Sequence, residues 1–187
     1  RNAEVDTLAI PNGNLSIALT GDSARSYKIY KLPRRYPDGT MEAMSMVGIN
    51  VPVMPGADIK VEGDFSNHTI TGSIPFYKDL ELIYSHIKPL TEKSMLAARA
   101  AYDSTKPQAE RDSLMAVSEA YKDSIQDLVA EYVYYRPDSE AGLYAFYMYA
   151  DLEEHHDCLE KFSEGVRTGV LSDVYAELVA DYEALLK

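Results

Sequence analysis

The apolar residues of this chain change their spacing once, near residue 73, and that change decides what the chain can fold into. Before it they alternate. Leu15, Ile17 and Leu19 stand on one side, with Ser16 and Ala18 on the other, the period of two that a half-buried strand requires. After it, Phe76, Leu80, Ile83, Ile87, Leu90, Ser94, Ala97 and Ala101 advance in steps of four and three, which lines one face of a long helix. One chain cannot satisfy both periods in one element, so a strand unit followed by a helical unit is expected.

Other short runs in the first part also read as strands. Residues 5–10 carry Val5, Thr7, Leu8 and Ile10 and lead into Pro11-Asn12-Gly13-Asn14, whose Asn-Gly pair tolerates the positive φ of a tight hairpin turn. Residues 26–32 place Tyr27, Ile29 and Lys31 on one face, with Lys28 and Tyr30 opposite. Pro33 and Pro37-Asp38-Gly39 mark a loop. Residues 44–53 are extended, and Pro52 and Pro55 confine them to an edge or end position, because proline cannot donate to a ladder. Residues 58–62 alternate through Ile59 and Val61, residues 67–71 form a last strand, and Gly72-Ser73 closes the series. Five or six short strands with intervening turns suggest an antiparallel sandwich or partial barrel. The unit is small for a closed one, which points to strands upstream of Arg1.

In the second part Pro89 falls inside the first helical pattern, where it should bend the helix by roughly 20° or more, or break it. Ser104-Thr105-Lys106-Pro107 interrupts the pattern, with Pro107 suited to the first turn of a new helix. Leu114, Val117, Tyr121, Ile125, Leu128, Tyr132 and Tyr135 then trace a second stripe, and the short break implies an antiparallel helical hairpin. Arg136-Pro137-Asp138-Ser139 stops that helix and caps the next, with Glu140 in its first turn. Leu143, Phe146, Tyr147 and Ala150 are expected inward on a third helix. A fourth spans 152–162, closed by Gly165 and Gly169. Ser172 can cap a fifth, which carries Val174, Leu178, Tyr182 and Leu185. That helix still runs at Leu186-Lys187, which points to further protein downstream. The expected class is α+β: a small antiparallel β-sandwich-like unit over 1–73, then an all-α unit over 74–187, a long hairpin plus shorter helices.

Charge follows the same division. The net charge is −12. Residues 1–75 hold 7 basic and 8 acidic side chains, whereas residues 76–187 hold 11 and 22. Such a surface argues against nucleic acid, whose phosphates need a basic face. It suits either a solvated helical exterior or a basic partner. No run of 18 apolar residues is present to span a membrane. The chain begins at Arg1-Asn2-Ala3 without an initiator Met or signal-peptide core, which leaves the compartment open.

Three stretches carry a family resemblance. Val5-Asp6-Thr7-Leu8-Ala9-Ile10-Pro11-Asn12-Gly13-Asn14-Leu15-Ser16 resembles a strand–turn–strand hairpin of a bacterial domain of unknown function. That domain precedes thioredoxin-like domains of the AhpC/TSA and TlpA/ResA type, chiefly in Bacteroides-like bacteria. Val53-Met54-Pro55-Gly56-Ala57-Asp58-Ile59-Lys60-Val61-Glu62-Gly63, followed by Ile70-Thr71-Gly72-Ser73, is similar to the stretch after which that family's helices begin. Tyr135-Arg136-Pro137-Asp138-Ser139 resembles its helix junction, with Arg136 where Asn is more usual. The resemblance implies a thioredoxin-like domain with a Trp-Cys-x-x-Cys motif farther along the same polypeptide. It also implies an exported parent facing the periplasm or cell envelope, often lipid-anchored, with its signal segment outside this chain. This chain has no Trp and one cysteine, Cys158, so no redox residue carries over.

The reactive side chains suggest little chemistry. Glu153-Glu154-His155-His156-Asp157-Cys158 is the densest set of potential ligands. On a helix His155 and His156 point about 100° apart, and no further ligands follow at zinc spacing. Cys158 as a nucleophile would need a base, for which only His155 offers itself; a small side chain turned to the core is the plainer reading. His68 and His86 are isolated. The acid pairs Asp79 with Glu81 and Glu177 with Asp181 arise readily on acidic helices, and nothing sets the separation that glycoside chemistry requires. Pro55-Gly56-Ala57-Asp58 lacks the pattern of a phosphate loop. No catalytic, cofactor-binding or metal-binding residue is therefore assigned.

Tyrosine is in excess, 15 in all. Tyr132, Tyr134, Tyr135, Tyr144, Tyr147 and Tyr149 crowd one junction, as aromatic packing or as an interaction surface. The resulting expectation is a non-catalytic accessory or partner-recognition region of a thiol-disulfide oxidoreductase-like protein. Its contacts would be the thioredoxin-like domain, a second copy of the chain or client proteins. The alternative is a stand-alone periplasmic or surface lipoprotein holding a peptide or glycan.

Overall fold

The computed structural model describes residues 15–20, 24–30, 35–40, 48–65 and 67–187. The expected strand at 5–10, its Asn12-Gly13 turn, Lys31, Pro33 and positions 44–47 lie outside the described residues. The chain divides into two compact units, Arg1–Ile74 and Pro75–Lys187. The fold is α+β, with antiparallel strands in the first unit and helices in the second.

Two sheets make up the strand unit. In the first, β4 (Asp58–Gly63) is flanked by β1 (Leu15–Thr20) and β5 (His68–Gly72). The register sets Ile17 opposite Val61, Leu19 opposite Ile59 and Val61 opposite Ile70. Ile59 and Val61 are buried, while Lys60 and Glu62 between them are exposed. This is the alternation read from the sequence, with one face giving up apolar surface and the other solvated. The second sheet pairs β2 (Arg25–Tyr30) with β3 (Gly48–Val53). Ile49, Val51 and Val53 are buried. Among the described side chains of β2 only Ile29 is partly covered, and Tyr27, which shares its face, is exposed. Pro52 lies in β3, which has one described neighbour, as a residue lacking an amide requires.

Two glycines are required by geometry. Gly56 has φ 71°, and the Ala57 amide donates to the Met54 carbonyl at 3.2 Å. That is the arrangement of a type II turn with Pro55 ahead of glycine, and it carries the chain from one sheet to the other. At Gly63 φ is 117°, and a Cβ there would lie 2.3 Å from the Asn67 carbonyl oxygen.

The helical unit starts with α1 (Pro75–Ala101) and α2 (Gln108–Tyr135). Along α1 the buried residues are Phe76, Tyr77, Leu80, Ile83, Ile87, Ser94, Ala97 and Ala101, so the stripe read from the sequence is the face that packs. Pro89 does not break the helix. It is exposed, as is Ser85 one turn earlier, so the Ser85 carbonyl that loses its amide partner faces water. Asp103 accepts from the Thr105 amide and hydroxyl at 3.0 and 2.7 Å in the connection, and Pro107 occupies the N-cap position of α2.

The second stripe needs correction. The buried residues of α2 are Ser118, Ile125, Val129, Ala130 and Val133, whereas Val117 is 43% exposed and Tyr135 76%. A polar residue explains the rotation. The Ser118 hydroxyl lies 2.9 Å from the Ser94 hydroxyl, and each hydroxyl also reaches the other residue's carbonyl oxygen at 3.0 Å. Small side chains that satisfy each other let the antiparallel helices close together, so Ser118 faces α1 and Val117 does not.

Ser139 caps α3 (Glu140–Tyr149) by accepting from the Gly142 amide at 3.1 Å. Residues 141–146 are all buried, so this helix is apolar around its circumference. Tyr147, expected inward, is instead exposed. The single fourth helix expected over 152–162 is two pieces, α4 (Leu152–His155) and a 3-10 turn (His156–Glu160). His155, the last residue of α4, has φ −119° and ψ 20°, which ends the α-helical path and starts the 3-10 turn. Past the break Cys158, Leu159 and Phe162 all turn inward. Ser163 caps α5 (Glu164–Arg167). Ser172 is the first residue of α6 (Ser172–Leu185) and not its cap, which is Leu171.

Candidate interaction surface

The six tyrosines near the α2–α3 junction do not form one surface, because neighbouring positions on a helix diverge by about 100°. Tyr144 is buried and meets the Phe76 ring edge-on at 6.2 Å. Tyr149 points to α1, where it meets Tyr84 edge-on at 6.2 Å and shares a hydrogen bond with it. Burial raises both phenols above their ordinary range. The Tyr132 ring covers Gly142, where a Cβ would lie 3.2 Å from it. Tyr147 reaches the other way, its hydroxyl donating to Glu177 of α6 at 3.3 Å; burial, then the Glu177 charge, raises its phenol.

Tyr134 and Tyr135 remain at the surface. Tyr134 donates a short hydrogen bond to Asp157, and the Lys161 ammonium lies 5.2 Å from its ring centre. That bond pushes the Tyr134 phenol up to about 12 and holds the Asp157 carboxyl below its usual range. Tyr135 projects freely. Together with Ala130 and Glu131 these two side chains line a shallow, open depression on the last turns of α2. The two tyrosines at this depression were among those singled out from the sequence. Glu131 was not, and only its i, i+4 relation to Tyr135 could have marked it.

The 153–158 segment holds no reactive constellation. Cys158 is buried, with Sγ 4.0 Å from the Ala130 carbonyl oxygen. Burial, reinforced by the Asp157 charge, pushes its thiol up to about 11, away from the thiolate a nucleophile needs. The Nε2 atom of His155 lies 3.7 Å from the Asp127 carboxylate. The His156 ring stacks on Tyr182 at 4.6 Å. Glu154 and Cys158, four residues apart, share no continuous helical face, since the helix breaks at His155. Among the described residues no three His, Cys, Asp or Glu side chains are placed to hold a metal ion.

One acid of each pair has a partner of its own. Asp79 lies 3.4 Å from the Arg136 guanidinium, and Glu177 accepts from Tyr147. His86 is exposed and His68 lies half-buried in β5. Among the described residues no helix is long and apolar enough to cross a membrane. No family model, curated protein or solved structure matches this chain.

Proposed function

We propose that this chain is a non-catalytic accessory region that recognises or positions a partner protein, and that its parent is an exported thiol-disulfide oxidoreductase-like protein. The observation that carries the first part is the state of the only thiol. Cys158 is fully buried, raised to about 11 and next to a carboxylate, the opposite of the electropositive, partly open setting of a redox cysteine. The most accessible aromatic side chains of the helical unit, Tyr102 and Tyr135, are solvent-facing, and tyrosine is a common interface anchor. The link to a thioredoxin-like domain, and with it the periplasmic or cell-envelope setting, rests on the order of the three sequence stretches that resemble such proteins.

The coding frame beyond Lys187 tests this reading. It should contain a Trp-Cys-x-x-Cys motif, and the extended polypeptide should reduce insulin while residues 1–187 alone should not. A stop codon soon after Lys187, or insulin reduction by this chain alone, overturns it. A stand-alone protein holding a peptide or glycan among clustered tyrosines has less support, because Tyr144, Tyr147 and Tyr149 point to three different neighbours.

A further inference from the structure

We infer that the depression at the C-terminal end of α2 is a docking site for an arginine-bearing segment of a partner protein. The inference deepens the proposed function and rests on the reading that this chain recognises protein partners. Four features of the same spot favour a cation. Tyr135 is 76% exposed, and its ring has no aromatic or cationic partner among the described residues. Glu131 lies one turn before it on the same face and is exposed. Residues at i and i+4 have Cβ atoms about 6 Å apart, a spacing that lets a guanidinium lie on the ring while donating to the carboxylate.

The last turn of α2 carries no basic residue, so the partial negative charge of the helix end is not countered from within. The surrounding unit has twice as many acidic as basic side chains, 22 against 11, and this field would draw a basic segment toward it.

The nearby basic side chains are already engaged. Lys161 lies over the Tyr134 ring. The Arg136 guanidinium lies 3.4 Å from Asp79 and 3.9 Å from Asp138. His155 faces Asp127. Tyr134 is held in place by Asp157 and forms one wall, leaving Tyr135 and Glu131 as the groups open to a ligand. Arginine fits better than lysine, because a planar guanidinium can stack and donate at once. Phosphate-bearing ligands are disfavoured by the same carboxylates.

The test uses the whole chain and a Gly-Ser peptide carrying three arginines, titrated at physiological salt, with its glutamate counterpart as the reverse-charge probe. Glu131→Gln and Tyr135→Ala should each weaken binding about three- to tenfold. Glu183→Gln, which removes the same charge from exposed α6, should change it less than about twofold. Backbone NMR shifts on titration should centre on residues 127–138. Equal weakening by Glu183→Gln would mean diffuse attraction and overturn the inference. Binding of the glutamate peptide, no effect of Tyr135→Ala, or self-association that depends on Tyr135 would also overturn it. Site-specific arginine binding without a redox domain beyond Lys187 would keep the docking site and remove the exported-oxidoreductase reading; the converse pair of results would do the reverse.

Discussion

Replacing Ser118 with leucine should damage this protein far more than replacing it with alanine. The α1–α2 contact is closed by two hydroxyls 2.9 Å apart, each 3.0 Å from the opposing carbonyl oxygen. In Ser118→Ala one hydroxyl disappears. Ser94 can still donate to the residue-118 carbonyl, so no buried donor is orphaned, and the loss is that of one hydrogen bond, about 1 kcal/mol. Alanine's better helix propensity returns up to about 0.5 kcal/mol, leaving a net loss of roughly 0.5–1 kcal/mol.

Ser118→Leu instead adds bulk where the two backbones meet through serine-sized side chains. The helices must part, at about 1–3 kcal/mol for overpacking. The Ser94 hydroxyl then loses its partners in a buried setting, at about 1–3 kcal/mol more. The total, roughly 2–5 kcal/mol, should lower Tm by several degrees to more than 10 °C, at about 2–4 °C per kcal/mol for a chain of this size. Thermal and urea unfolding followed by far-UV circular dichroism would measure both variants. Comparable stability of Ser118→Leu and Ser118→Ala would refute the close approach. A cycle through Ser94→Ala and the double variant should show coupling, since each hydroxyl serves both residues.

Three further perturbations separate local causes. Gly63→Ala should cost about 1–3 kcal/mol, because φ is 117° and the new Cβ would strike the Asn67 carbonyl; Gly39→Ala, at φ 86° with open space around it, should cost less in the same urea titration. Cys158 should react slowly with a thiol reagent at neutral pH and rapidly once unfolded. Because its folded thiol is raised from 9.0 to about 11, it contributes stability fully below pH 9, and that contribution should fade as pH rises from about 9 toward 11. Urea midpoints that stay flat over that window in wild type, relative to Cys158→Ala, would contradict the burial argument. Ser139→Ala should lower stability by about 1 kcal/mol through loss of the α3 cap, whereas Ser172→Ala should be nearly silent because Ser172 caps nothing.

The parts of this fold that were legible share one property, a long run with a single unbroken period. Residues 76–101 predict the buried face of α1 almost residue by residue, since one side of that helix packs and the other meets water. In α2 the hydropathy of Val117 outweighed that of Ser118, but mutual hydrogen bonding makes serine a good buried residue here. No face of α3 could be chosen, because residues 141–146 are buried all round. The break at His155 left no proline or glycine to announce it. Tyrosine was the least legible residue type. Tyr144 in the core and Tyr135 in water have the same side chain, and only tertiary neighbours decide which end of it matters.

The pairing of β1 with β4 sets the order of events during folding. Residues 21–57 intervene between these two strands, so their alignment must close a large chain loop before any rung of that ladder forms. The helical hairpin can instead zip outward from its short connection over 102–107, so its first contacts close only a small loop. Amides of α1 and α2 should therefore become protected early in a pulse-labelled refolding experiment, and those of β1 late; protection of β1 first would invert this order. The strand unit would then spend the longest time with open edges, which makes it the segment most exposed to intermolecular pairing while the chain is still unfolded.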